Sequence, residues 1–186
     1  MTEDRRLVSQ ALKGDRKAFE MIVRKYEQPL TSYLGRMTGE REAALDFAQE
    51  VFLKAYCSLA SYRPAYKFST WLFKIASNHL IDHWRKKKLP TVSIDQPVDD
   101  GEDALMPQIA DPGPSVARKF ELAEIRKKIE QALATVPAAL RELFVLRHVN
   151  EFSYEEIADI KGLPIGTVKN RVFQAKELLR KRMGGS

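Results

Sequence analysis

Cysteine is almost missing from this chain. Cys57 stands alone among 186 residues, which excludes an intrachain disulfide framework and a cysteine-based zinc site. No apolar run approaches the ~20 residues of a membrane-spanning helix. The N-terminal MTEDRRLVSQ has no apolar signal core. The expectation is therefore a cytoplasmic protein with no direct membrane insertion. No glycine-rich phosphate loop and no nucleophile–base pairing is recognisable, and no segment alternates as a strand should. Histidine is scarce too, at three residues. His79 and His83 lie one helical turn apart, a spacing that can chelate a metal, but the intervening acid is Asp82, His148 is the only further histidine, and a basic run follows. A metal-dependent hydrolase using His79 and His83 ranks last among the readings. The expectation is no metal, no cofactor and no enzyme activity.

What is present is helix-forming sequence and charge in blocks. Hydrophobic content of 44% and charged content of 30% are those of a globular protein. The net charge of +6 is unevenly spread. Residues 1–90 hold 17 Lys/Arg against 10 Asp/Glu, and residues 116–186 hold 14 against nine. Between them, residues 91–115 carry six acids and no base, with four prolines, two glycines and no sustained apolar period. That composition is a linker's. The sequence thus predicts an all-α chain of two small helical domains, residues 1–90 and 118–186, joined by an acidic flexible linker over residues 91–117.

In the first block, apolar spacing predicts helices near residues 4–13 and from Phe19 to Thr38, with Pro29 a possible kink. A third, over residues 42–59, gathers Leu45, Ala48, Val51, Phe52 and Ala55 on one face and leaves Asp46, Gln49, Glu50 and Lys54 outside. A fourth covers residues 69–88. The second block predicts helices over residues 116–133 and 138–149, then a pair of helices near the C-terminus.

That last pair, FSYEEIADIKGLPIGTVKNRVFQAKELLRKRM, is the most informative stretch. Ser153 and Glu156 form an S-x-x-E capping box, Gly162 suits a left-handed C-terminus, and Pro164 suits the next helix's first turn. In the second helix Val168, Val172, Ala175 and Leu179 recur at four, three and four, forming one buried stripe. The opposite face presents Thr167, Lys169, Asn170, Phe173, Gln174 and Glu177. Lys, Asn and Gln suit base-edge hydrogen bonds, and an aromatic edge can meet a thymine methyl. Arg171, Lys176, Arg180, Lys181 and Arg182 would meet phosphates. A helical hairpin with a merely solvated basic face is the plainer alternative. Upstream, SYRPAYKFSTWLFKIASNHLIDHWRKKK interleaves aromatic and basic residues, a composition that can stack unpaired bases beside phosphate contacts. Trp71, Leu72, Ile75 and Leu80 can equally be core.

KGDRKAFEMIVRKY, DFAQEVFLKAY, FSTWLFKIASNHLIDHWRKKK and FSYEEIADIKGLPIGTVKNRVFQAKELL, in this order, resemble the extracytoplasmic-function group of bacterial sigma factors, in the sigma-70 class. The resemblance implies a sigma-2 domain and a sigma-4 domain. Asp46, Gln49, Glu50 and Leu53 would dock on the coiled coil of the β′ subunit of core RNA polymerase. The loop of residues 61–70 and the helix after it, with Tyr62, Arg63, Lys67, Phe68, Asn78, Asp82, Arg85 and Lys86, would recognise and melt the minus-10 element and capture a flipped base. Thr167, Lys169, Asn170, Arg171, Phe173 and Gln174 would read the minus-35 element, while sigma-4 meets the β flap. Many relatives carry Arg where this chain has Gln174, and Gln lacks that charged bidentate contact to guanine. The resemblance further implies a monomer when free, and control by an anti-sigma factor in a stress response, in the cytoplasm or held at the membrane through that factor. A helix-turn-helix regulator without a sigma role is the alternative.

Overall fold

The structure, a computed structural model, describes residues 2–88 and 116–184. The linker of residues 91–117 lies almost wholly outside the described residues. Eight α-helices and one short 3-10 turn make up the described secondary structure: α1 (Glu3–Leu12), α2 (Arg16–Thr38), α3 (Arg41–Cys57), the turn Leu59–Ser61, α4 (Phe68–Lys88), α5 (Val116–Ala134), α6 (Ala138–His148), α7 (Tyr154–Lys161) and α8 (Ile165–Arg182). Among the described residues there is no strand.

Local chemistry sets the boundaries. Asp15 accepts hydrogen bonds from the Lys17 and Ala18 amides and starts α2. Gly39 ends it in the left-handed region at φ 80°, where a side chain would be strained. Pro29 does not break α2, which runs continuously through it. Pro29 is exposed, so the carbonyl its missing amide leaves behind falls on the solvent side, where water satisfies it. α7 begins on the reciprocal Ser153–Glu156 capping box and ends at Gly162, φ 62°.

α1 to α4 pack around Ile22, Leu30, Leu34, Val51, Leu72 and Leu80, all buried. One face needs correction. α3 buries Ala44, Phe47, Ala48, Val51, Phe52 and Ala55, whereas Leu45 is 39% exposed. The buried stripe is centred one residue round from the expected one, so Leu45 joins the outer strip. In the second block, α6, α7 and α8 close on Leu143, Leu146, Ile157, Ile160, Val168 and Val172.

The two blocks are also packed on each other, α4 against α7 and α2 against α6. The Phe73 and Phe152 rings meet edge to face at 4.9 Å. Lys67 pairs with Glu156 at 2.9 Å, and Arg36 with Glu130 at 2.8 Å. Arg141 donates to the Arg36 carbonyl. At the centre, the Glu142 carboxylate accepts from Tyr33 and Ser77 at 2.8 Å each and from Lys161 at 2.6 Å. Lys161 donates to Ser77 as well.

Candidate nucleic-acid interface

α8 carries the clearest surface. Val168, Val172, Ala175 and Leu179 are all buried, as their spacing requires. Turning α8 by half a revolution exposes Lys169, Asn170, Phe173 and Gln174, with Thr167 and Arg171 half-buried at the edges. Phe173 is 62% exposed. An aromatic ring that fills no core position and lies among amides and bases has the composition of a base-reading surface. Two residues not anticipated from sequence join it. The Tyr154 ring lies 4.9 Å from the Arg147 guanidinium and 5.7 Å from the Lys169 ammonium. Arg147 also donates to the Phe152 carbonyl. Tyr154 therefore gathers two cations at the N-terminal end of α8. The signal in sequence was weak, because Arg147 comes from α6 and only folding brings it there.

The α4 segment divides differently. Tyr62 and Phe68 are buried, in an aromatic cluster with Trp71 and Tyr26 whose centroids lie 5.4–5.6 Å apart. Neither ring face is free to stack on a base in this arrangement. In this arrangement the two rings support the loop from within. Tyr62 donates to the Tyr66 carbonyl at 2.8 Å and so shapes the loop. The ring actually presented there is Tyr66, 52% exposed, beside exposed Arg63 and Lys67. Along α4, Lys74, Asn78, Asp82 and Arg85 follow one outward line, with Lys86 exposed next to it. Asp82 holds Arg85 at 2.9 Å. Trp71 is half-buried against the core.

On α3, Asp46, Gln49, Glu50 and Leu53 form an exposed strip, Leu53 at 64%. Behind the strip, His79 sits with Nδ1 2.6 Å from the Lys54 ammonium and Nε2 3.3 Å from Glu50. The rings of His79 and His83 both pack edge-on to Phe47. Burial, and then the Lys54 charge, push the His79 pKa down. The Nδ1 edge of the imidazole faces the Lys54 ammonium, whose charge repels a metal cation.

Comparison with known proteins fits this geometry. Residues 22–89 match the family Sigma-70 region 2, and residues 126–179 match Sigma-70, region 4. The chain is 37% identical over 177 residues to the ECF RNA polymerase sigma factor SigW of Bacillus subtilis, covering 95% of this chain and 94% of that protein. It is 32% identical over 180 residues to the ECF RNA polymerase sigma-E factor of Escherichia coli, covering 95% and 92%. Among solved structures, CnrH in complex with the cytosolic domain of CnrY superposes at a TM-score of 0.69 and 23% identity, covering 98% of this chain and 97% of that one. The sigma factor RpoE in complex with the anti-sigma factor NepR from Bartonella quintana superposes at 0.68 and 25%, covering 90% and 97%. A region-2 module followed by a region-4 module is the layout of a sigma-70-class initiation factor. The chain belongs to the extracytoplasmic-function sigma factors of that family. It is a transcription initiation factor and not an enzyme, and neither the metal-hydrolase reading nor that of a stand-alone regulator is favoured. No helix among the described residues is long and apolar enough to cross a membrane.

Proposed function

We propose that this sigma factor docks on the polymerase β′ coiled coil through Asp46, Gln49, Glu50 and Leu53, reads a minus-35 element with Lys169, Asn170, Phe173 and Gln174, and holds an unpaired minus-10 base at the loop of residues 61–70. Residues 1–90 and 118–186 act as its two working domains. The observation carrying this reading is the exposed Phe173 on the polar face of α8. At the minus-10 end Tyr66 supplies the stacking ring, Asn78 and Asp82 supply edge hydrogen bonds, and Arg63, Lys67, Arg85 and Lys86 meet phosphates. Unstacking a base costs a few kcal/mol, and stacking with edge contacts in a pocket offsets that cost. Sigma-4 would meet the β flap. Free in solution the monomer binds DNA weakly, because each module is small, and docking on polymerase raises the effective concentration of the second contact.

RpoE of Bartonella quintana is bound by the anti-sigma factor NepR. By likeness, an anti-sigma factor restrains this chain too, in the cytoplasm or at the membrane, and releases it under stress. Reconstituted transcription with core polymerase over a genomic promoter library tests the reading. Promoter-specific initiation is the expected result. Loss of both initiation and stable core binding would overturn it.

A further inference from the structure

A histidine lies buried directly beneath the exposed strip of α3. His79, on α4, is only 8% exposed, and its ring meets α3 at Phe47, Glu50 and Lys54. Those three residues follow one another at intervals of three and four, on one side of that helix. The Phe47 ring stands edge-on to the imidazole, with centroids 5.0 Å apart, and fixes its plane. Nδ1 lies 2.6 Å from the Lys54 Nζ. An ammonium donates and cannot accept, so Nδ1 offers its lone pair and the ring proton sits on Nε2. Burial, and then the Lys54 charge, lower the His79 pKa, in keeping with a ring that carries one proton. Nε2 has no in-line acceptor, and the Glu50 carboxylate lies 3.3 Å from it.

The consequence falls on Glu50. A glutamate and a lysine four positions on in a helix ordinarily pair with each other, and this is the favoured order of the two. Here the imidazole takes the Lys54 ammonium on one nitrogen and faces the Glu50 carboxylate with the other. The Glu50 side chain is 58% exposed, so its charge stays turned towards solvent. We propose that His79 is a positioning residue for polymerase docking: its imidazole, wedged between Lys54 and Glu50, holds the lysine back and leaves the carboxylate outward for the partner. The inference rests on the reading of Asp46, Gln49, Glu50 and Leu53 as the docking strip.

Two physical effects favour docking in this arrangement. The first is charge. A carboxylate already neutralised by its own lysine must give up that pair before it meets a cation on the partner, whereas a singly protonated imidazole competes only as a dipole. The second is order. An exposed glutamate samples several rotamers, and docking has to fix one of them. An Nε2–H behind the carboxylate favours the rotamers that keep one oxygen near the ring. A partner that fixes Glu50 can also bring that oxygen into line, giving a buried donor the bond it lacks in the free chain. An apolar side chain at position 79 would fill the same space, yet would neither hold Lys54 nor donate to Glu50.

The dissociation constant of the full-length chain for core RNA polymerase, measured without DNA, tests the assignment. Glu50→Ala should weaken binding about tenfold and His79→Leu about fivefold. His79→Gln, whose amide carries both an acceptor for Lys54 and a donor for Glu50, should stay within about twofold of the parent. Adding Lys54→Ala to His79→Leu should restore most of the loss, measured against Lys54→Ala alone, because no lysine is left to pair with Glu50. Where His79→Leu loses helicity, His79→Met is read in its place. Parental affinity in His79→Leu beside a weakened Glu50→Ala would overturn the positioning role and leave the docking strip standing. Equal losses in the Leu and Gln variants would overturn it too, since a ring that merely fills space is not rescued by an amide. A loss that persists without Lys54 would overturn the wedge. Parental affinity in Glu50→Ala would instead remove that residue from the docking strip, and the role of His79 with it.

Discussion

The two surfaces proposed to meet DNA differ in how their aromatic rings are held. On α8, Phe173 stands out of a regular helix, and helical spacing alone separates it from the buried stripe of Val168, Val172, Ala175 and Leu179. At the start of α4 the aromatics come from a loop and a helix end. There the rings best placed by sequence, Tyr62 and Phe68, turn inward, and Tyr66 is left outside. A periodic element assigns its faces to the reader. A loop does not, because each residue takes its direction from the turn.

Breaking the inward cluster should have the largest effect. Phe68→Ala empties a fully buried ring position and should cost about 3–5 kcal/mol of stability, seen as a fall in the midpoint of denaturant unfolding. Undiminished stability would mean that Phe68 is not core. Asn170→Ala should weaken minus-35-dependent initiation by roughly 1–3 kcal/mol, about 5- to 150-fold, while affinity for core polymerase stays constant. Equal loss on every promoter sequence would count against base readout by that residue. Tyr66→Ala separates the two regions most directly. It should leave stability within about 0.5 kcal/mol, as for an exposed substitution, and weaken binding to single-stranded minus-10 DNA by roughly 1–3 kcal/mol. Normal single-strand binding would shift the stacking role away from Tyr66. Ser153→Ala removes the cap of α7 and should cost ~1 kcal/mol in thermal or denaturant unfolding.

The smallest effect is a pH dependence. The His79 pKa is lowered in the folded chain, by burial and then by Lys54, and that of His148 is lowered by burial and then by Arg147. The unfolded chain therefore takes up more protons as pH falls below about 6.5. Stability should be flat above that value and decline as pH drops through it toward the lower folded values. His79→Gln should reduce the slope and leave the part due to His148. A slope of the opposite sign would show that His79 is charged in the native state.

Much of the fold was legible because caps and stripes are local. The Ser153–Glu156 box, Gly162 at φ 62° and the Gly14–Asp15 break mark boundaries by chemistry confined to a few residues. The buried stripe of α8 follows from spacing alone. Leu45 escaped because α3 has alanines on both sides of its apolar stripe, so rotation by one residue costs the pattern almost nothing. Glu142 escaped for a deeper reason. A single acid within AALRELFVLRH reads as solvent-facing, and only the first domain's arrival, with the hydroxyls of Tyr33 and Ser77, buries it. Arg147 and Lys169, 22 positions apart, likewise become neighbours only through the Tyr154 ring.

The pairing of Lys67 with Glu156 changes the charge that the loop of residues 61–70 presents. Lys67 is 74% exposed, so the pair contributes little stability, but it cancels a positive charge at the loop that would meet the phosphate backbone. Asp82 does the same to Arg85 towards the far end of α4. With its two blocks packed together, the chain therefore presents a flatter electrostatic field along α4 than its formal charge of +6 suggests. A lower local positive charge should slow encounter with random DNA.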